Sequence, residues 1–348
     1  MKILLIIFCS LLLILTLLPL VKKEYWVFRI CEYPRLQKLV LNAIGLVLWL
    51  FYISSQDLIS LIFLGLMLVN AGYLLYLIIP FTKISKRQVV DITNEIPDNG
   101  ISLMSSNVLQ DNTNYNGCLQ EIERVQPNVI VLLETNAAWE RNLKVLEKKY
   151  CFQVKVPLEN KYGMLLYSEF ELKNTSVHYM VETDIPSIHT EVMLPSGIPI
   201  QLYAVHPTPP VPKENPSSAE RDKELLLIAD LSRKSKMPVV VIGDLNDVAW
   251  SYTTNLFLKM SGLIDPRRGR GFFNSFHAHY PFLRFPLDHA FVSVDFKLKK
   301  MIRLNNFDSD HFPIFISLQY EKNAHLEQDG LKPDADDAKV AQEKKEQV

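Results

Sequence analysis

The strongest constraint on this chain lies at its N-terminus, where three apolar runs follow one another within the first eighty residues. Residues 3–21 are apolar apart from Ser10 and Thr16. At a rise of about 1.5 Å per residue, this run nearly spans a hydrocarbon core of about 30 Å. Residues 39–53 form a shorter run that carries Asn42, and residues 58–80 form a longer one without charge. Buried core helices of a soluble protein are the plain alternative. Three such runs packed so closely favour about three transmembrane helices over residues 1–83. Lys2 precedes the first run as in a signal peptide. However, Leu20-Val21-Lys22-Lys23-Glu24 has no small-residue cleavage site, so an uncleaved anchor is expected. Lys22, Lys23, Arg29, Arg35 and Lys38 crowd the first loop, and Lys83, Lys86 and Arg87 follow the third run. The connection Ser54-Ser55-Gln56-Asp57 has no positive charge. The positive-inside rule then places the rest of the chain in the cytoplasm, whereas Lys2 read as a signal anchor places it outside. Tyr25, Trp26, Phe28 and Tyr33 in the first loop are candidates for an interfacial aromatic belt.

Beyond a polar linker over 84–100, ending in the turn formers Pro97, Asp98, Asn99 and Gly100, the pattern changes. Strands are expected over 101–108, 129–133, 162–167, 176–181, 189–194, 200–205, 238–242, 287–292 and 312–318. The continuous apolar runs at 129–133 and 238–242 suit strands covered on both faces. Helices are expected over 117–125, 137–149 and 218–232. Mixed strands and helices of this kind imply an α+β domain over 101–320, with two sheets packed together and helices outside. The tail, 321–348, is rich in Lys, Glu, Asp and Ala without an apolar period and is expected to be disordered. The net charge of -1 gives no global footprint for nucleic acid. Four cysteines without metal-ligand spacing are expected to be free thiols.

Five of the expected strands end beside polar groups. Asn107 ends the first, Glu134 the second and His206 the strand at 200–205; Asp244 and Asn246 follow the strand at 238–242; Asp310 and His311 precede the last. A sheet holds the backbone rigid while the loops at its edge expose side chains, so sites grow at strand ends. Singly, each residue has a bland reading: Asp244 as a turn residue, His206 as a satisfied half-buried histidine. Jointly and in order they do not.

The segments Ser106-Asn107-Val108, Leu132-Leu133-Glu134-Thr135, Ala204-Val205-His206-Pro207, Gly243-Asp244-Leu245-Asn246, Leu287-Asp288-His289 and Ser309-Asp310-His311-Phe312-Pro313 resemble the ordered motifs of the endonuclease/exonuclease/phosphatase superfamily, typified by deoxyribonuclease I. The resemblance implies a four-layer α/β/β/α sandwich of two mixed sheets and Mg²⁺-dependent hydrolysis of a phosphoester, with Mn²⁺ as a substitute. It implies that Glu134 binds the metal, with Asn107 and Asp310 holding it or orienting its waters. His311 would act as general base or phosphate contact, with Asp288 fixing its tautomer. Asp244 would position or deprotonate the attacking water, Asn246 would contact a phosphate oxygen, and His206 would stabilise developing charge. Two departures stand out. Leu109 occupies a position where many relatives carry a polar ligand, and Arg284 is displaced from the place of an arginine that relatives often have near Asp288.

Residues 265–279 are basic and aromatic, which suggests a phosphate-contact loop with Arg267, Arg268 and Arg270, joined by Arg284 and, from another loop, Tyr162. The alternative is a surface turn with a buried aromatic strand. The first functional expectation is a membrane-anchored phosphoesterase of a bacterial cytoplasmic membrane acting on a lipid-linked phosphate, since anchoring concentrates such a substrate. A membrane-tethered nuclease is the second, and a non-catalytic membrane scaffold the third. No obligate protein partner is evident from the sequence.

Overall fold

The computed structural model describes residues 1–52, 57–212 and 214–347. Residues 54–56 of the connection without positive charge lie outside them. The N-terminal region is built from α1 (Lys2–Leu17), the short α2 (Trp26–Ile30), α3 (Arg35–Leu50) and α4 (Leu58–Ile78). Lys2 contacts Asp57, so α4 starts beside the start of α1 and α3 is the returning leg. Among the described residues, two helical stretches, Lys2–Leu20 and Leu58–Phe81, are long and apolar enough to cross a bilayer, against the three or so expected. The 16 residues of α3 reach only roughly 24 Å at about 1.5 Å each. They also carry Arg35, Lys38 and Asn42. The three helices pack on Leu5, Cys9, Leu12, Trp49 and Met67, bury an asparagine pair among them, and stay apolar outside. Asn42 Nδ2 donates to Met67 O at 2.9 Å and Asn70 Nδ2 to Asn42 Oδ1 at 2.7 Å. Ile3, Ile7, Val47 and Val69 stand more than half exposed.

The rest is the expected four-layer sandwich. One sheet holds β1 (Gly100–Asn107), β2 (Val129–Leu133), β3 (Phe152–Val156), β4 (Met164–Ser168), β10 (Phe296–Arg303) and β11 (Ile314–Tyr320) in the order β10-β11-β1-β2-β4-β3. The other runs β5 (Leu172–His178), β6 (Ser187–Met193), β7 (Pro199–Ala204), β8 (Val239–Asp244) and β9 (Asp288–Val292) in chain order. Both are mixed: β1 pairs β2 and β7 pairs β8 in parallel, and the other pairs are antiparallel. Alternation explains the layers. Leu103, Val129, Val131 and Leu133 meet Leu202, Val240 and Ile242 between the sheets. Ile130 and Leu132 instead face α5 (Tyr115–Val125) and α6 (Ala137–Asn142) through Ile122 and Trp139. Val239 and Val241 face α7 (Ala219–Lys234) and α8 (Tyr252–Ser261) through Leu225 and Phe257.

Several elements differ from the sequence reading. The helix expected over 137–149 breaks at Leu143 into α6 and a 3₁₀ turn, Lys144–Lys148. The expected disordered tail contains α9 (Ala335–Glu346), with Asp334 and Asp337 forming a capping box. It is held chiefly by charge. Lys344 Nζ reaches Asp222 and Glu24, each at 2.8 Å, and Lys345 reaches Asp230 at 2.7 Å. Only Ala341 and Val340 pack against Leu226 and Leu256, so no apolar period betrayed it. The aromatic first loop docks on the sandwich: Trp26 N donates to Pro216 O at 2.8 Å, and Tyr33 packs beside Phe285 at 5.4 Å between centroids.

Candidate active site

Strand ends from both sheets converge on one carboxylate oxygen. Asp244 ends β8, and its Oδ2 lies 3.3 Å from Asn107 Nδ2, 3.5 Å from His311 Nε2 and 4.0 Å from His206 Nε2. Asp244, His206 and His311 are all buried. Close backbone approach makes the convergence possible. Gly243 has φ +147, and a Cβ there would lie 1.9 Å from Val205 O, so only glycine lets the end of β8 sit against His206. The other Asp244 oxygen accepts from Asn246 N at 2.9 Å, closing a tight turn with Asn246 at φ +50. Asn246 Nδ2 then donates to Pro207 O at 2.9 Å.

His311 is clamped between carboxylates: Nδ1 lies 2.7 Å from Asp288 Oδ2, while Nε2 faces Asp244. Burial alone would lower its pKa, but Asp288 and Asp244 outweigh burial and push it up to about 10. That direction favours the charged ring, whose Nε2–H is then a hydrogen-bond donor aimed at the site. Ser275 Oγ receives Asp288 N at 3.1 Å, and Ser309 Oγ bridges Asn107 O (2.8 Å) and His311 N (3.0 Å). Ser309 stood in the last motif without a role of its own, and Ser275 carried no role either, because a hydroxyl that braces backbone leaves no pattern of its own.

Glu134 follows β2 at φ +58, and accepts from Asn107 Nδ2 at 2.8 Å and Gln110 N at 3.4 Å. Asp310 keeps one buried oxygen without a hydrogen-bond partner among the described residues. A divalent cation fits this donor set, since hard oxygen ligands suit it and an orphaned buried carboxylate oxygen is otherwise unfavourable. Asp244, Asp288 and His311 also place ligand atoms within 4.8 Å of one another. With His311 Nδ1 already held by Asp288, the same group also suits proton handling. Leu109 brings no donor; its backbone N–H goes to Asn107 Oδ1 at 3.1 Å.

The substrate-side arginines are a correction. Arg267 is fully buried, paired with Asp265 at 2.9 Å and donating to Asp288 O at 3.4 Å. Arg268 lies over the Phe81 ring at 5.2 Å, and Arg270 is turned toward Asp91 and Val89 O. Asp265, two residues before Arg267, was the local signal for an internal pair. Arg284 remains at the rim, 4.9 Å from the Phe312 ring centre, and Tyr162 lies 5.3 Å from the His206 ring. Two unforeseen residues brace the Asn246 turn: Arg221 Nη1 and Tyr33 Oη donate to Asn246 O at 2.7 and 3.0 Å.

Residues 104–311 match the model of the Endonuclease/Exonuclease/phosphatase family. The chain belongs to this family. It is accordingly an enzyme, a metal-dependent phosphoric ester hydrolase, with the family's ordered polar set at its strand ends. None of the curated proteins matches it in sequence. Solved structures with the same fold include humanized TDP2 of D. rerio, at 16% identity and TM-score 0.54, covering 64% of this chain and 99% of that one. The human Nocturnin catalytic domain with bound sulfate has 17% identity and TM-score 0.52, covering 67% and 97%. An endonuclease/exonuclease/phosphatase from Beutenbergia cavernae has 17% identity and TM-score 0.52, covering 64% and 72%. At these identities the likeness is one of fold.

Proposed function

We propose that the chain is a membrane-held, Mg²⁺-dependent phosphoesterase that hydrolyses a phosphodiester or pyrophosphate of a lipid-linked substrate by in-line attack of water. The observation that carries the chemistry is the meeting of Asn107, His206 and His311 around Asp244 Oδ2. In this reading Glu134 and Asp310, helped by Asn107, hold Mg²⁺ (or Mn²⁺), which when bound supplies charge relief to the phosphoryl oxygens. Asp244 accepts the proton of the attacking water. Imidazolium His311, held by Asp288, donates to a phosphoryl oxygen, and His206 and Asn246 hold the charge that develops beside it. Arg284 and Tyr162 contact the substrate from the rim.

The membrane reading is supported by two long apolar helical stretches, by their exposed apolar exteriors, and by an asparagine pair buried between the helices. The location we propose with it is a bacterial cytoplasmic membrane. One TDP2 structure holds a single-strand DNA product, but a nuclease needs a basic groove. Here Arg267, Arg268 and Arg270 are spent internally, which favours a lipid-linked phosphate over nucleic acid. The test is hydrolysis of a phosphorylated isoprenoid lipid by the full chain in vesicles, with single-stranded DNA in parallel. Turnover of the lipid that stops in excess chelator supports the proposal; salt-sensitive cleavage of DNA alone replaces it with the nuclease.

A further inference from the structure

The loop joining Ser275 to Leu287 leaves the catalytic cluster as an apolar tongue. Its root is tied to the site: the Phe276 ring lies 4.9 Å from the His311 ring, and Ala278 N donates to Asp310 O at 2.7 Å. Its tip turns outward. Tyr280 is 57% exposed, Leu283 53% and Phe282 87%. A phenylalanine so exposed contributes nothing to packing this chain. The tip is nevertheless placed, because Gln37 Nε2 in the first turn of α3 donates to Phe282 O at 2.7 Å. The tongue therefore stands level with the end of the helical block that meets the sandwich. Cations lie behind it: Arg284 and Arg303 sit 4.9 and 4.2 Å from the Phe312 ring centre. Apolar rings at a tip with guanidiniums one layer back match the depth profile of a bilayer surface, acyl chains beneath phosphates.

We propose that residues 277–283 form a lipid-inserting rim of the active site, and that its partner is the surface of the bilayer that holds α1 and α4. The proposal rests on the membrane reading above and deepens it. The rim carries Phe282 and Leu283 into the acyl region and brings the mouth beside His311 down to the lipid phosphates. A phosphoester at the bilayer surface then reaches the site without leaving the membrane.

The test uses the full chain in phosphatidylcholine–phosphatidylglycerol vesicles. One nitroxide at a time is attached at Phe282→Cys, at Ile62→Cys on the exposed face of α4, or at the exposed native Cys151, with the other accessible cysteines replaced by serine. The readout is accessibility to oxygen against a water-soluble nickel chelate. Labels at 282 and 62 are expected to favour oxygen, and the label at Cys151 to favour nickel. If 282 follows Cys151 while 62 favours oxygen, the rim is wrong and the anchor stands. If 62 also favours nickel, the membrane reading fails and the rim with it.

Discussion

His311 draws its charge from two carboxylates of different kind. Asp288 is fixed by Ser275 and orients the ring; in the proposed chemistry Asp244 belongs to the reacting centre. Asp288→Asn keeps the shape and removes the charge that holds the ring. We expect kcat to fall by about 10²–10⁴-fold with the melting temperature nearly unchanged. Steady-state kinetics beside calorimetry checks this, and a wild-type kcat removes Asp288 from the site. A second residue reports on stability. Glu224 on α7 is buried with one oxygen unpartnered among the described residues; burial, aided by Glu182, pushes its carboxyl from 4.5 up to about 8. The folded chain thus keeps a proton that the unfolded chain releases. Its contribution is complete below the unfolded pKa and is lost as pH rises through about 8. Glu224→Gln should therefore melt above the parent at alkaline pH and level with it at acid pH; equal melting at both would assign the carboxyl a partner. At this scale the polar residues at strand ends were legible in sequence because rigid ends expose them. The arginines were not, because a charge reads the same whether it faces water or an internal aspartate.

Among elements, the junction of β7 and β8 depends on Gly243. Its φ of +147 and its contact with Val205 O exclude a side chain, so Gly243→Ala should cost well over the ~1 kcal/mol of an unstrained glycine replacement. The β8 end would shift and activity would fall with stability, read by denaturant melts and turnover on the same preparation. On the far side, α9 acts as a clamp. Deleting it leaves Asp222 without Lys344 and bares Leu226 and Leu256. Because Asp222 keeps Arg221 at 2.9 Å, the expected loss is about 1.5–3 kcal/mol, the scale of one hydrogen bond to a charged group; an unchanged melt would make α9 an ornament. Buried strands such as β2 and β8 were legible as continuous apolar runs, since each face meets a different core. β10 was not, because Lys297, Lys299, Lys300 and Arg303 mask an edge strand whose apolar residues, Phe296, Leu298 and Met301, face inward. α9 escaped because charges rather than an apolar stripe hold it.

For the whole molecule, the helical block and the sandwich share one interface at the catalytic end. Trp250 Nε1 donates to Glu32 O and Tyr252 N to Glu32 Oε2, each at 2.9 Å, and Phe81 packs on Trp250 at 5.8 Å. Tyr33 braces the Asn246 turn from the same side. A chain beginning at residue 84 would bare Trp250, Phe285 and Leu287 and lose that brace. It should self-associate on a sizing column and hydrolyse little even when monomeric; a monomeric, fully active fragment would separate the two halves.

In the proposed membrane reading the mouth is fixed where α1, α3 and α4 join the sandwich, so its orientation is settled once, when the chain inserts. An enzyme built this way works on a single leaflet. In sealed vesicles carrying a lipid that does not flip, turnover should halt with the far leaflet untouched, and resume when a scramblase is added. On that proposal the fold hands the choice of substrate pool to the insertion machinery, and the pace of the reaction to whatever carries lipid across.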